Sequence, residues 1–200
     1  MPELILASGS PYRRQLLTRL GLDFIVVSPD VDERAEHAED GTALSRRLAL
    51  LKARTVSTGH PDAIVIGSDQ VAECAGRMLG KPGTVERAIE QLAFCSGREV
   101  IFHTAVAVIG ASREQVRRVP TRVRMRALSR DTIENYIRRD QPLDCAGAIK
   151  SEALGIALTE AIASDDPTAL VGLPLIAVTE MLDAVGLPVI GVAPQVDPAQ

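Results

Sequence analysis

The apolar run Leu4-Ile5-Leu6-Ala7 breaks at once into Ser8-Gly9-Ser10-Pro11 and then into a leucine-bearing stretch, and this junction restricts the fold more than any other part of the chain. The run reads as a buried strand, Ser10 as an N-cap, Pro11 as a first helical residue, and Leu16, Leu17 and Leu20 as the helix's core-facing stripe. A helix N-terminus carries unpaired backbone N–H groups and partial positive charge, so small residues ahead of it let a phosphate approach closely. Arg13 and Arg14 add charge that can grip phosphate oxygens in a fork. An ordinary capped helix with its arginines in water has the same local sequence.

Two hundred residues with 46% hydrophobic content suit one α/β domain over residues 1–200 with a sizeable core. With no Trp, three Phe and two Tyr, aliphatic side chains supply nearly all the packing, so the position of Tyr12 carries weight. A formal charge of −4 speaks against a nucleic-acid polymer as partner, whereas a local arginine cluster suits a small anion such as a nucleotide. Cys74, Cys95 and Cys145 lie far apart without C-x-x-C spacing, which points to neither a disulfide framework nor a zinc site and fits a reducing compartment. Met1-Pro2-Glu3 leads straight into the first strand without a basic-then-apolar leader, and no apolar run reaches membrane-spanning length. The expectation is a soluble cytoplasmic protein with no membrane partner, whose potential edge strands suit a homodimer.

Residues 42–58 read as a helix with Leu44, Leu48 and Leu51 on one face, and Ala63-Ile64-Val65-Ile66-Gly67 as a buried strand ending at Ser68-Asp69-Gln70. Ala75-Gly76-Arg77 is a hairpin-turn signal, and Thr84 caps a helix to about residue 94 with Glu86 in its first turn. Residues 100–109 and 115–127 follow as strands, the second interrupted at Pro120, which suggests an edge or bulge. Arg117, Arg118, Arg122, Arg124 and Arg126 read mostly as exposed alternate positions of that strand, with a partner face as the other reading. Ser129 caps a helix to about residue 138, residues 147–155 are a small-residue stretch holding Lys150, Ser151 and Glu152, and Pro174 opens a late helix over residues 175–185 that Gly186 ends. The tail after Gly191 is expected to be loose.

The chain has no G-x-x-x-x-G-K-[ST], no G-x-G-x-x-G after a strand and no G-x-S-x-G, which disfavours a P-loop NTPase, a dinucleotide enzyme and a nucleophile-elbow hydrolase. Asp69, at the expected strand end, is placed either to project from the sheet edge into a cleft or, as strand-end acids commonly do, merely to cap a turn. Lys52 sits at the margin of its helix's apolar stripe, where a lysine either snorkels past the core or reaches into a pocket. Glu33 in Pro29-Asp30-Val31-Asp32-Glu33 and Lys81 between Gly80 and Pro82 are individually ordinary loop charges.

Together, SGSPYRRQLL, PDVDE, LKA, GSDQV, GKP, CAGAIKSEALG and VGLPL stand in the order and context of the Maf family of nucleoside triphosphate pyrophosphatases, which the chain resembles from Leu4 to about Leu182. The resemblance implies a mixed sheet with flanking helices and a central cleft between two lobes, the Maf/ITPase-like arrangement, together with a divalent cation, Mg²⁺ or Mn²⁺. It implies hydrolysis of a nucleoside triphosphate between the α- and β-phosphates. On this reading Ser10, Arg13 and Arg14 hold the triphosphate with the helix N-terminus, while Lys52 and Lys81 offset transition-state charge. Glu33 and Asp69 ligate the metal, and Asp69 accepts the proton of the attacking water.

Family members that resemble thymidine and uridine triphosphate pyrophosphatases carry Arg, Thr and Gln where this chain has Tyr12, Gln70 and Glu152. The combination here resembles the 7-methyl-GTP pyrophosphatase branch, whose usual aromatic at position 12 is Trp. The chemistry agrees: ring methylation gives the purine a positive charge that an aromatic face attracts and an arginine repels. An ionised, buried Glu152 would accept from guanine's ring N–H and amino group, and Gln70 can adapt to donors or acceptors. The bland alternative is that Glu152 pairs with Lys150. The implied role is house-cleaning removal of 7-methyl-GTP; a pyrophosphatase of broader specificity and a nucleotide-binding regulator of cell division are the alternatives.

Overall fold

A computed structural model of the chain describes residues 2–110 and 113–191, and the tail expected to be loose lies outside them. In chain order the elements are β1 (Leu4–Ala7), α1 (Pro11–Thr18), β2 (Ile25–Val26), α2 (Gly41–Ser57), β3 (Ile64–Cys74), β4 (Arg77–Leu79), α3 (Val85–Cys95), β5 (Glu99–Gly110), β6 (Arg113–Met125), α4 (Arg130–Asp140), β7 (Thr159–Ser164) and α5 (Leu175–Ala184). The described strands form one mixed sheet in the order β2-β1-β3-β5-β6-β7, with β4 beside β3. β1 runs parallel to β2 and β3, and the remaining pairings are antiparallel.

Local chemistry sets most boundaries. Ser10, Thr84 and Ser129 each accept the amide three residues on, satisfying one orphan donor of α1, α3 and α4, and Asp40 does the same for α2. Ala75 and Gly76, at φ 48° and 77°, make the two-residue turn whose twist suits the β3–β4 hairpin. α1 is shorter than its leucine stripe implies: it ends at Thr18, and Leu20 packs on the core from the turn that follows.

Two expected boundaries are corrected. β3 does not stop at Ser68-Asp69-Gln70 but runs through them, because β5 pairs with it from Val65↔Ile109 to Cys74↔Val100. β6 also passes through Pro120 unbroken. Pro120 faces His103 of β5, its carbonyl accepts from Ser164 Oγ on the other side, and pairing with β7 starts only at Thr121, so the missing N–H deprives no strand. The irregularity lies instead between Arg124 and Met125. β2 and β7 have no counterpart in the sequence reading.

The feature that positions the site is an interruption beside β3. On the edge opposite β5, β1 pairs with β3 only as far as Ala7↔Gly67, and β4 takes over only at Ala72↔Leu79. Residues 68–71 thus have no strand neighbour on that edge. The core divides accordingly: Ile64 and Ile66 pack with β1, α1 and α5, whereas Ala72 and Cys74 pack with α3 and α4. α2 covers the other face, its Ala49, Ala53 and Val56 against Val65 and its Leu44 and Leu48 against Val71.

A buried carboxylate fastens the start of α5. Asp166 accepts from Thr168 N (2.8 Å), Thr168 Oγ1 (2.6 Å) and Ile176 N (2.7 Å), and Thr168 Oγ1 accepts from Leu175 N (2.8 Å). It caps α5 in place of Pro174, which has no side-chain donor or acceptor. Asp166→Ala strands these buried donors and is expected to cost about 2–4 kcal/mol in urea unfolding. A loss below about 0.5 kcal/mol, the size of an ordinary surface change, refutes the capping role.

Candidate active site

Alternation along β3 decides which side chains meet. Even-numbered residues face the split core, so Ser68 and Gln70 stand in the gap between its halves; odd-numbered residues face α2, which sets Asp69 against Lys52. Gly67 makes the approach close: a Cβ there would fall 2.3 Å from the Ala49 carbonyl oxygen and 2.7 Å from the Ala53 amide nitrogen.

Lys52 is 6% exposed and reaches into the cleft rather than snorkelling to water. Its Nζ lies 2.7 Å from Asp69 Oδ1 and 2.6 Å from Glu33 Oε1. Asp69 is as buried as the lysine, whereas the Glu33 side chain is about half exposed. Burial works against the charged form of Glu33, but the hydrogen bond and charge of Lys52, with Lys81 and Arg13 beyond, outweigh it and hold this carboxyl below its ordinary range. The loop carrying Glu33 is fastened to α2 by Arg47, which donates to Glu39 (2.8 Å) and to the Arg34 carbonyl (3.0 Å).

Arg13 enters from the first turn of α1. Its Nε donates to the Gly172 carbonyl at 2.8 Å and its Nη1 to Ser8 Oγ at 3.4 Å. Burial lowers its pKa, while Asp69 and Glu33 favour the charged form. The Gly172 carbonyl also accepts from the buried Ser68 hydroxyl at 2.9 Å, and its φ of 116° is a conformation that L side chains rarely adopt. Ser10 Oγ accepts the Arg13 amide (3.4 Å), which leaves the Ser10 hydroxyl hydrogen for another acceptor.

Gln70 is less adaptable than its side chain allows in principle. Its Nε2 donates to Thr104 Oγ1 (2.9 Å) and to the carbonyls of Ala169 and Leu170 (3.0 Å each). Two carbonyls can only accept, so the amide orientation is determined and Oε1 is the atom left for a ligand.

These side chains line one cleft of about 870 Å³ together with Tyr12, Lys81, Asp144, Cys145 and Glu152, a size that suits a nucleotide. The Tyr12 hydroxyl donates to Asp144 Oδ2 at 3.3 Å. Glu152 is exposed at the rim rather than buried, so the expectation based on burying its charge does not apply. Nor does it pair with Lys150, whose Nζ donates to the Asp140 carbonyl at 3.0 Å. Arg14 is not brought to the cleft: one step of roughly 100° around α1 turns it to a separate surface hollow beside Thr18, Leu22 and Phe24. The structure adds Ser8, Ser28, Asp144 and Gly172 to the lining, all flanking or within segments already singled out.

Comparison with known proteins gives the chain its family. A family model described as Maf-like protein matches residues 3–185. A protein of Aromatoleum aromaticum named 7-methyl-GTP pyrophosphatase is 57% identical over 184 residues, covering 91% of this chain and 95% of that protein. One of the same name from Xanthomonas axonopodis pv. citri is 56% identical over 182 residues, covering 91% and 96%. Among solved structures, the Staphylococcus aureus Ham1 protein aligns at a TM-score of 0.47 and 20% identity, covering 76% of this chain and 89% of that one. With the family model spanning nearly all of the described residues, and relatives more than half identical matched along nine-tenths of the chain, the protein belongs to the Maf family.

Proposed function

We propose that this protein hydrolyses 7-methyl-GTP to 7-methyl-GMP and pyrophosphate in the cytoplasm, keeping the modified nucleotide out of nucleic acids. One observation carries the reading: a single cleft joins a cation-and-carboxylate cluster, Arg13, Lys52, Asp69 and Glu33, to a tyrosine ring flanked by acceptors. The names of relatives more than 50% identical agree with it.

Arg13 and the Ser10 hydroxyl, with the start of α1, hold the triphosphate, while Lys52 and Lys81 offset charge that grows on the bridging and leaving oxygens. Asp69 accepts the proton as water oxygen bonds to the α-phosphorus and the bond from that phosphorus to the α–β bridging oxygen breaks. Pyrophosphate leaves with that oxygen. The Glu33 and Asp69 carboxylates converge on one cation, the Lys52 ammonium, and as hard oxygen donors they suit Mg²⁺ or Mn²⁺. These two carboxylates would hold such an ion. Such an ion, when bound, neutralises phosphate charge and acidifies water.

Base choice follows from what the cleft offers. A methylated guanine is a cation with two N–H groups on one edge; the Tyr12 face attracts the first, and Gln70 Oε1 and the Glu152 carboxylate accept from the second. Pyrimidines lack that paired-donor edge. Pyrophosphate release measured across 7-methyl-GTP, GTP, TTP and UTP with Mg²⁺ or Mn²⁺ is expected to rank 7-methyl-GTP first. Equal turnover of TTP and 7-methyl-GTP refutes the substrate, and tight binding without hydrolysis points to a regulator instead. Glu152→Gln is expected to lower the preference for 7-methyl-GTP over UTP by about 10-fold, the value of one charged hydrogen bond. An unchanged profile removes Glu152 from base reading.

A further inference from the structure

We propose that Asp144 is a positioning residue for substrate choice: by accepting the Tyr12 hydroxyl it holds the ring and enriches its face for a cationic base. The inference rests on 7-methyl-GTP being the substrate. Tyrosine is intrinsically a weaker cation acceptor than tryptophan, so a chain that uses tyrosine gains most from a group that pushes electron density into the ring. A phenol that points its hydrogen at a carboxylate is such an arrangement; at 3.3 Å the contact is long, and the carboxylate acts through its charge, which polarises the O–H bond and leaves more negative charge on oxygen and ring.

The surroundings of Asp144 favour this use. Besides Tyr12, its neighbour in hydrogen bonding is the Cys145 thiol, whose Sγ donates to Asp144 Oδ1 at 3.5 Å. Burial first, and Asp144 next, push that thiol up to about 12, so it remains a neutral donor. Burial first, then the Cys145 thiol and the Asp144 charge, raise the Tyr12 phenol and keep it protonated, so it remains a donor that Asp144 and the Cys145 sulfur share. No lysine or arginine pairs with Asp144 among the described residues, so its charge is not spent on an ion pair. Among the described residues the Lys150 ammonium lies over the ring, its Nζ 5.9 Å from the centroid. It draws ring density toward itself, and the Asp144 hydrogen bond opposes that withdrawal.

The test is the ratio of kcat/KM for 7-methyl-GTP over GTP in the wild type, Asp144→Asn, Tyr12→Phe and the double variant, each checked for cooperative thermal unfolding. Asparagine keeps an acceptor of the same size and removes the charge; phenylalanine removes the donor from a partly exposed position and serves if Asp144→Asn fails to fold. Each single change is expected to lower the ratio by about 3- to 10-fold, through KM for 7-methyl-GTP rather than kcat. The double variant is expected to match Tyr12→Phe alone, because without the Tyr12 hydroxyl the charge of Asp144 has no hydrogen bond through which to act on the ring. A ratio unmoved by Asp144→Asn in a wild type that prefers 7-methyl-GTP, or losses that multiply in the double variant, overturn the role of Asp144 and leave the substrate standing. A wild type with no preference for 7-methyl-GTP over GTP overturns the substrate reading and this role with it.

Discussion

Asp69→Asn is expected to lower kcat for nucleotide hydrolysis by about 100- to 10,000-fold, the range for loss of a positioned proton acceptor. The substitution keeps the shape of a 6%-exposed side chain and an oxygen for the Lys52 ammonium at 2.7 Å. Lys52 also retains Glu33 at 2.6 Å, so no buried cation is left alone and the variant folds. What disappears is the negative charge and the basic lone pair, and with them a hard donor to a divalent ion. The predicted loss therefore falls on turnover, with cooperative unfolding preserved. Steady-state kinetics of pyrophosphate release beside a urea melt separates the two. Turnover within about 10-fold of wild type refutes a proton-accepting role for Asp69, since that is less than one such group contributes.

How far Asp69 and its partners were legible depends on how local their causes are. Helical spacing from Leu44 and Leu48 puts Lys52 at the edge of an apolar stripe but leaves both snorkelling and entry into a pocket open; the structure buries it in the cleft. Ser10 and Pro11 were readable because caps are set by neighbours in sequence. Sequence alone puts Asp69 at the end of a strand, whereas it stands in the middle of one; the strand that ends is β1, and only pairing between distant segments reveals the resulting gap. Gln70 is a sharper case. Its donors are spent on carbonyls 99 and 100 residues away, so a side chain that can donate or accept becomes an acceptor alone. β7 escaped because Thr159–Ser164 is rich in alanine, without the β-branched alternation of a typical strand, and is recruited by pairing with β6. Charge alone groups Arg14 with Arg13, and helical geometry separates them.

The arginines of β6 show the same divide between local and distant causes. Arg122 and Arg124 are exposed, as alternation suggests, and each meets a glutamate, Glu99 or Glu160, on a neighbouring strand. Arg117 pairs with Glu180 of α5. Arg118 instead turns inward, its Nη1 3.0 Å from Nδ1 of the buried His103. His103 lies beside Glu73 as well, 3.2 Å from Nε2, and burial followed by the Arg118 charge holds its pKa below the usual value despite Glu73. A neutral ring protonated on Nε2 satisfies both partners, accepting from Arg118 and donating to Glu73. Arg126 donates to the Thr159 carbonyl at 3.0 Å, so a stripe of positive charge in the sequence is divided among separate carboxylates, one imidazole and one backbone carbonyl.

Gly67→Ala is expected to destabilise the protein by about 1–3 kcal/mol, the typical cost of overpacking, and to lower kcat/KM by about 100-fold, as a misplacement near 1 Å can. The cause is not backbone strain, since Gly67 sits in extended β3. It is the approach of α2: the added methyl would lie 2.3 Å from the Ala49 oxygen, 2.7 Å from the Ala53 nitrogen and 2.9 Å from Ala53 Cβ. Two of those atoms are backbone, so no change of rotamer makes room and the helix has to move away from the strand. Lys52 stands one residue before Ala53 on that helix, and Asp69 two residues beyond Gly67 on that strand. Separating the two elements therefore stretches the 2.7 Å contact between the ammonium and the carboxylate. Urea unfolding and pyrophosphate-release kinetics on the same preparation should show both losses together. A variant that loses stability but retains full turnover would mean that Lys52 follows Asp69 through its flexible stem; one that loses neither would mean that α2 is not held where Gly67 admits it.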